Sequence, residues 1–358
     1  LSWALLVVVL LRTAWVCDDA FITMRCVDNA TNGYGLTFNP VERVQAFTHP
    51  LWALLLLAAH YLFESAYFEL IFAGLVSSLA AMLLLARFSR APWAWLCLPL
   101  LAISSKALIE YSTSGLENSL SYVLLVLFAA ETLRERALNR SAFRLALIAS
   151  AIGLNRIDLL VMIAPAMAAF LWQDRSWRTL KAIALGFSPL FVWEAFALFY
   201  YGFPFPNTAY AKLGAGIPQD ELWTMGRRYF EDSLQRDWVT LPLILAASLC
   251  ALTRRKEAPI AVGILLYLFY VLRIGGDFMS GRFFAVPLVL SLFLLCRLCA
   301  HSGKRWLSLV GPATALGLLS PTPMLLSGAD YTLPREILIG PSGVADERAF
   351  YYHGTGLL

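Results

Sequence analysis

Two adjacent carboxylates, Asp18 and Asp19, come directly after the first apolar segment of the chain, residues 1–16. An ionised side chain beside hydrocarbon is costly, and two neighbouring carboxylates also repel each other. Such a pair is therefore typical of a catalytic site, where a carboxylate takes up a proton or stabilises a developing positive charge. The alternative is a signal that ends a membrane span, although a single Asp, or Lys and Arg, would end it without the repulsion.

The composition indicates the environment in which this pair lies. Of the 358 residues, 59% are hydrophobic and only 15% are charged, and the mean hydropathy is +0.67. These values exclude a soluble globular domain and predict an all-α polytopic membrane protein, with the lipid bilayer as a partner. The chain has no basic patch that would indicate nucleic acid as a partner.

Apolar runs predict about eleven transmembrane helices, several of them shorter than the usual ~20 residues. These runs are residues 1–16, 67–86, 91–109, 119–133, 142–154, 158–172, 180–201, 239–252, 258–272, 283–297 and 306–326. A further run, residues 50–63, is predicted to be an interfacial helix in the first external loop, because this choice places the clusters of Lys and Arg on one side. By the positive-inside rule that side is the cytosol, so Asp18 and Asp277 lie outside.

Two external loops are long, residues 17–66 and 202–238, and long loops tend to carry function. Residues 1–326 are predicted to form a transmembrane catalytic domain, and residues 327–358 the start of an extracytoplasmic C-terminal region that is truncated in this sequence. Glu194 is the clearest ionisable residue within a predicted span.

The six cysteines are scattered. Cys17 and Cys26 flank the two aspartates and either form a disulfide outside the cytosol or stay free, since spacing alone does not give the geometry. Cys296 and Cys299 lack a second pair at zinc-ribbon spacing and are predicted to be buried thiols near a helix end.

Several motifs carry a resemblance to a known family. The first external loop contains DDAFITMR from Asp18, Gly33-Tyr-Gly35-Leu, Asn39-Pro40, Glu42 and Thr48-His49-Pro50-Leu-Trp52; later come Ser114-Gly-Leu-Glu117, Pro206-Asn-Thr-Ala-Tyr-Ala-Lys212 and Gly275-Gly-Asp-Phe-Met-Ser-Gly-Arg282. With these motifs the chain resembles the GT-C glycosyltransferases and is most similar to the bacterial arabinofuranosyltransferases of the mycobacterial terminal β-(1→2) type. The resemblance covers most of the chain and implies the GT-C fold.

The resemblance implies that Asp18 is the catalytic carboxylate. Asp19 then orients an acceptor hydroxyl or a metal ion, or adjusts the pKa of Asp18. The cofactor requirement stays open, and a divalent cation is compatible with these residues.

Candidate ligands of a donor phosphate are His49, Arg156, Lys212, Asp277 and Arg282. An Arg can hold phosphate oxygens bidentately at a Gly-rich turn such as residues 275–282. Each candidate also has a structural alternative: a packing or capping role for the histidine, anchoring for Arg156 and Lys212, and an ion pair between Asp277 and Arg282.

Candidates for binding the sugar or the acceptor are Tyr34, Glu117, Asn207 and Tyr210, although boundary tyrosines also serve as interfacial belt residues.

Two further pairs of charged residues are Arg156 with Asp158 and Lys106 with Glu110. The family commonly has Pro and Glu after the arginine that corresponds to Arg156, so the role of Asp158 is open. Lys106 and Glu110, one helical turn apart, are predicted to form a structural ion pair.

The function that the resemblance implies is transfer of a pentose, D-arabinofuranose, from a polyprenyl phosphate to a glycan, lipoglycan or glycoprotein acceptor. The enzyme would be a multi-pass protein of a bacterial inner membrane, with a pocket between the first loop and residues 275–282 that faces the periplasm or cell exterior. A transporter or lipid-linked-sugar flippase is the alternative. Such proteins show internal repeats and polar groups near mid-bilayer, whereas the polar groups here gather at one face.

The predicted topology can be tested by labelling single cysteines, introduced at positions 277 and 255, in a variant whose six native cysteines are replaced. An impermeant thiol reagent added to intact cells should label position 277 but not position 255, because these positions lie on opposite sides of the predicted span between them. Labelling of both positions after the cells are opened is the control. The reverse pattern would overturn the topology.

Overall fold

The computed structural model describes residues 1–63, 65–89, 91–134, 138–208, 210, 216–300, 302–327, 338–340 and 343–358. Across these residues the chain is helical, with isolated backbone bridges in place of strands. The helices are α1 Ser2–Arg12, α2 Asp18–Thr31, α3 Pro50–His60, α4 Ala66–Ser89, α5 Pro92–Ser104, α6 Lys106–Glu110, α7 Asn118–Thr132, α8 Leu138–Asn155, α9 Leu159–Gln173, α10 Trp177–Gly186, α11 Ser188–Tyr201, α12 Gln219–Arg236, α13 Thr240–Leu252, α14 Ala258–Arg273, α15 Arg282–Leu298, α16 Gly303–Leu319 and α17 Glu347–Thr355. The predicted all-α class is confirmed.

Every apolar run that predicts a span coincides with one or two of these helices. By length and composition, one helix among the described residues can cross a bilayer alone, Ala66–Ser89, and α10 with α11 can do so together across a bend of 47°. Most other apolar helices have 11–17 residues, or about 16–26 Å of rise, against a hydrocarbon core of ~30 Å. Helix length therefore leaves the predicted number of eleven spans open.

Proline sets several of the helix boundaries. Pro50 and Pro92 begin α3 and α5, and Pro189 stands at the start of α11, where a missing N–H costs no hydrogen bond. The same residue cannot continue the hydrogen bonding of α10, so the run at residues 180–201 bends instead of forming one helix.

The central helix of the fold is α15. Every residue from Phe284 to Cys296 on it is buried, and it packs against α4, α6, α7, α13 and α14. An all-round apolar helix is stable only inside such a bundle. Its burial fixes the position of its first residue, Arg282.

A buried ion-pair network holds α6 against the C-terminal segment. Lys106 Nζ lies 2.5 Å from Glu110 Oε2 and 3.0 Å from Asp346 Oδ2, and Arg348 Nη1 lies 3.6 Å from Glu110 Oε1. The predicted structural pair of Lys106 and Glu110 is confirmed. Burial makes such pairs sensitive to the loss of one partner, by about 3–5 kcal/mol.

The six cysteines are free in the structure, so of the two alternatives for Cys17 and Cys26 the structure has free thiols. Cys17 precedes α2 and joins the main core, whereas Cys26 lies within α2 and packs with Phe47 in a second cluster. Nine residues of helix separate them by about 13 Å, well beyond the ~7 Å limit for a disulfide. Cys296 and Cys299 are buried at the end of α15, as predicted.

Candidate active site

The ends of four helices meet at one side of the bundle. Here α2 begins with Asp18, α7 begins after Glu117, and α15 begins with Arg282, while α8 ends at Asn155. The Asn155 side chain joins α8 to α7 by donating to the Glu117 carbonyl and to Ser121 Oγ, both at 2.9 Å. Helix N-termini carry partial positive charge, so this side of the bundle favours anions.

Asp18 and Asp19 occupy the first turn of α2. The exposed Asp18 accepts the Asp19 N–H at 2.8 Å on Oδ1 and the Tyr351 hydroxyl at 2.7 Å on Oδ2. The Asp19 side chain is partly buried, and burial raises its pKa, an effect that the charge of Arg282 opposes and that of Asp18 reinforces. The pair therefore consists of one solvent-accessible carboxylate and one partly buried carboxylate whose pKa is raised above its ordinary value.

Glu117 is the shared partner of three basic side chains. It is buried, and its Oε1 lies 3.2 Å from Arg282 Nη2 and 3.6 Å from Arg156 Nε, while its Oε2 lies 3.4 Å from His49 Nδ1. Burial raises the pKa of Glu117, but Arg282, His49 and Arg156 lower it by more, to about 2. The carboxylate is thus charged at neutral pH and pairs with cations of the protein, while its role in binding the sugar or the acceptor stays a prediction.

Gly115 allows the loop before α7 to approach α2. Its φ is +81°, and a side chain there would place Cβ 2.7 Å from Cβ of Ala20. The Cys17 N–H donates to the Ser114 carbonyl at 3.0 Å, and Trp52 Nε1 donates to the Gly115 carbonyl at 3.0 Å. These contacts bring Glu117 close to the two aspartates.

Arg156 is held on one side by Asp158. Its Nε and Nη2 donate to the two oxygens of that carboxylate at 3.1 and 2.6 Å, and Nη2 also donates to the Tyr267 hydroxyl at 3.2 Å. Within the described residues its buried Nη1 has no hydrogen-bond partner. Asp158 therefore orients the guanidinium and leaves one N–H group free for a ligand.

The surroundings of Arg282 are compatible with both of its predicted roles, an ion pair with Asp277 and the binding of a donor phosphate. It lies 3.5 Å from Asp277 Oδ2, which is the predicted structural ion pair, and also contacts Glu117. Its buried Nε has no hydrogen-bond partner in the part of the chain that the structure describes. Gly276, with φ +73° and no room for a Cβ beside Tyr229, permits the tight turn that places Asp277 here.

A cavity of about 270 Å³ lies beside the two arginines, and Asp18 and Asp19 are not among the residues that line it. Glu117, Arg156, Asp277 and Arg282 line it, together with first-loop residues that include Gln45 and Thr48, so it lies between the first loop and residues 275–282, as the sequence predicts. Its other walls are mostly apolar and include Leu154, Ile157, Leu190, Trp193, Phe205, Ile274 and Phe283. A cavity with apolar walls and a few convergent polar groups is typical of a ligand site.

His49 does not line this cavity, although its neighbours Thr48 and Pro50 do. Its Nε2 lies 2.8 Å from the hydroxyl of Thr23. Burial lowers the pKa of His49, the charge of Glu117 opposes this effect, and Arg282 and Arg156 add to it. The neutral ring therefore packs behind Glu117, and the two arginines carry the positive charge of the site.

Three of the remaining candidates, Tyr34, Asn207 and Tyr210, are exposed. Tyr34 is exposed between Gly33 and Gly35, and the exposed Tyr210 packs on Phe203 and Phe205. Asn207 is exposed, and its backbone N–H donates to the Gln45 carbonyl at 3.2 Å. Lys212 lies outside the described residues. Across the described ranges, no group of three or more His, Cys, Asp and Glu side chains is arranged to hold a metal ion.

Sequence reasoning assigned no role to four residues near the site. Gln45 and Glu194 line the cavity, and each has a buried oxygen without a hydrogen-bond partner among the described residues. Tyr351 contacts Asp18, and Glu347 precedes it by one turn on α17. Glu194 was detectable as an acid in an apolar run, whereas nothing in the C-terminal sequence indicates that it returns to the first loop.

The predicted resemblance to arabinofuranosyltransferases is confirmed by comparison with known proteins. The chain is 29% identical over 402 residues to the terminal β-(1→2)-arabinofuranosyltransferase of Mycobacterium tuberculosis, an alignment that covers 96% of the chain and 63% of that protein. It is 30% identical over 324 residues to the protein of the same name from Corynebacterium glutamicum, covering 76% of the chain and 46% of that protein. The chain thus spans about half to two thirds of these relatives. No protein-family model and no solved structure matches it.

The low pKa of Glu117 predicts a pH-dependent contribution to stability. Because its folded pKa of about 2 lies below the ordinary value of 4.5, Glu117 stabilises the folded state above that value, and the contribution is lost as the pH falls towards 2. Thermal unfolding should show Glu117→Gln several degrees less stable than the wild type at pH 6, with a difference that shrinks below pH 4.5. Glu231→Gln, which removes an exposed ion pair with Arg227, should change stability little at either pH. A Glu117→Gln difference independent of pH would contradict the assignment.

Proposed function

We propose that the chain is a membrane glycosyltransferase that moves a pentose, D-arabinofuranose, from a polyprenyl phosphate to a glycan, lipoglycan or glycoprotein acceptor outside the cytosol. The observation that carries the proposal is the pair of buried arginines with free N–H groups, Arg156 and Arg282, which line one cavity close to the carboxylates Asp18 and Asp19. Transfer from a phosphate ester requires these two kinds of group: cations for the departing phosphate and a carboxylate for the acceptor proton.

The arginines supply the phosphate site. Arg156 Nη1 and Arg282 Nε are donors that lack a protein partner within the described residues, and hydrogen bonds from guanidinium to phosphate are among the strongest in proteins. A guanidinium also stays charged at any working pH, so the site keeps its charge as the bond to the phosphate breaks.

Charge balance indicates how the phosphate enters. Three carboxylates, Glu117, Asp158 and Asp277, contact the two arginines, so a phosphate that binds to the free donors meets negative charge, which is relieved when one carboxylate moves away. The shortest contact of each carboxylate with an arginine is 2.6 Å for Asp158, 3.2 Å for Glu117 and 3.5 Å for Asp277, so Asp277 is held least closely. In this proposal the Asp277 carboxylate moves away from Arg282 when the phosphate binds. A divalent cation that arrives with the donor would offset the excess negative charge.

The acceptor is activated by Asp18. Its carboxylate takes the proton of the acceptor hydroxyl while that oxygen attacks the anomeric carbon of the donor. The bond between this carbon and the phosphate oxygen breaks, and polyprenyl phosphate leaves as an anion held by the arginines. Asp19, the partly buried member of the pair, orients the acceptor hydroxyl.

The walls of the cavity suit the rest of the donor. Apolar residues such as Trp193, Phe205 and Phe283 line it and would contact the first isoprene units, while the unpartnered oxygens of Gln45 and Glu194 can accept hydrogen bonds from sugar hydroxyls. The identity of the pentose rests on the names of the two relatives. The eleven spans and the outward-facing site rest on composition and the distribution of Lys and Arg. The GT-C fold and the bacterial inner membrane rest on the resemblance to the arabinofuranosyltransferases.

A transporter or flippase fits the structure less well. The unpartnered donors and the carboxylate pair lie together at the helix ends on one side of the bundle, whereas transporters bind substrate near mid-bilayer between repeats. The relatives named above carry the names of transferases, which favours the enzyme.

The carboxylate assignment predicts that Asp18→Asn abolishes transfer, because the amide keeps the shape but cannot take up a proton. Transfer would be measured with purified protein, a polyprenyl-phosphate arabinofuranose donor and a synthetic oligosaccharide acceptor. Asp28→Asn, an exposed aspartate on the same helix, is the matched control and should remain active. Near wild-type turnover of Asp18→Asn would reject this assignment.

The phosphate site predicts a graded loss in donor use at Arg282. Loss of a hydrogen bond to a charged group costs about 1.5–3 kcal/mol, so Arg282→Ala should raise the donor KM by about ten- to a hundredfold. Arg282→Lys should recover only part, since an ammonium cannot form the bidentate fork. Arg273→Ala, an exposed arginine at the end of α14, is the control. If both Arg282 variants kept the wild-type KM and lost only stability, Arg282 would be a structural partner of Asp277 and Glu117.

A further inference from the structure

The C-terminal segment is built into the side of the molecule that carries the site. The N–H of Ala345 donates to the Phe278 carbonyl at 2.7 Å, and the N–H of Ser280 donates back to the Ala345 carbonyl at 2.9 Å. At the far end of α17, Thr355 Oγ1 donates to the Val16 carbonyl at 2.6 Å. One end of α17 is thus fixed to the loop of Asp277 and Arg282, and the other end to the residues just before Asp18.

Between these anchors, α17 directs two polar side chains to the same side. Tyr351 donates its hydroxyl to Asp18 Oδ2 at 2.7 Å. Glu347 lies four residues earlier, and side chains four apart lie on one face of a helix. Glu347 is therefore on the face of α17 that meets the carboxylate pair.

Glu347 has the features of a functional carboxyl group. Its side chain is only 8% exposed, and Oε2 has no hydrogen-bond partner within the described residues. The acids that face it are Asp18, Asp19, Asp277 and Asp346, of which the last contacts Lys106 and Arg236. The neighbouring Arg348 points to Glu110 instead. Burial and these four aspartates, in that order of effect, raise the pKa of Glu347 to about 7.

We propose that α17 is part of the active site, with Tyr351 positioning the Asp18 carboxylate and Glu347 controlling the negative charge beside it. This inference rests on the proposed role of Asp18. The Asp19 N–H holds one oxygen of the Asp18 carboxylate, and the hydrogen bond from Tyr351 to the other oxygen fixes the orientation of the group. When Glu347 is protonated it adds no negative charge to the site. An ionised Glu347 would repel both the donor phosphate and the departing anion.

The role of Tyr351 predicts a loss in turnover without a loss in donor binding. Tyr351→Phe removes only the hydroxyl and should lower kcat about tenfold, with the donor KM and the thermal unfolding temperature near those of the wild type. Tyr352→Phe is the matched control, because the Tyr352 hydroxyl donates to the Arg12 carbonyl and anchors the same helix without contacting Asp18. It should lower the unfolding temperature and leave kcat unchanged. Equal kcat values in the two variants would overturn the role of Tyr351.

The role of Glu347 predicts a change in the pH profile. As the pH rises through about 7, Glu347 loses its proton, so wild-type transfer should fall on the alkaline side. Glu347→Gln stays neutral and should keep its activity to higher pH. If transfer activity fell in the same way above pH 7 in the wild type and in Glu347→Gln, Glu347 would not control the charge of the site.

These results separate the inference from the proposed function. If Asp18→Asn is inactive and Tyr351→Phe turns over like the wild type, only the inference fails. If Asp18→Asn is fully active, the catalytic role of Asp18 fails, and the inference fails with it.

Discussion

The balance of charge around one buried carboxylate, Glu117, sets the architecture of the site. Two arginines and a neutral histidine surround it, and each comes from a different segment of the chain. A buried charge without a partner is strongly destabilising, so α7, α8 and α15 can pack together only when these groups meet. Folding and site assembly are therefore the same event: the interaction that stabilises the junction of the helices also fixes the arginines.

The same interaction explains why the arginines are both ordered and available. Asp158 and Glu117 hold Arg156, and Glu117 and Asp277 hold Arg282, yet each guanidinium keeps one N–H group without a protein partner among the described residues. Preorganised donors of this kind need no reorganisation when negative charge develops on a ligand. Buried arginines that keep a donor without a protein partner within the described residues reduce stability and favour binding, a combination that is typical of functional sites.

Much of this arrangement was predictable from the sequence, and the remainder depends on contacts between distant segments. The helices follow from runs of apolar residues, and the carboxylate pair and the arginines stand out because charge is rare in such a chain. The role of Glu117 was not predictable, since no local pattern shows that a residue before α7 will meet Arg156 and Arg282. The pairing of Cys17 and Cys26 stayed open for a related reason, because the two cysteines flank the aspartates in sequence and only the structure shows that a helix separates them.

The contact between Tyr351 and Asp18 joins residues 333 positions apart, and this separation has a consequence for how the protein is made. A ribosome releases the first loop long before α17, so the aspartates leave the ribosome without their partner helix. Contacts between such distant segments form late and slowly. The side of the bundle that carries the aspartates therefore stays incomplete until α17 has been synthesised and has packed against the first loop.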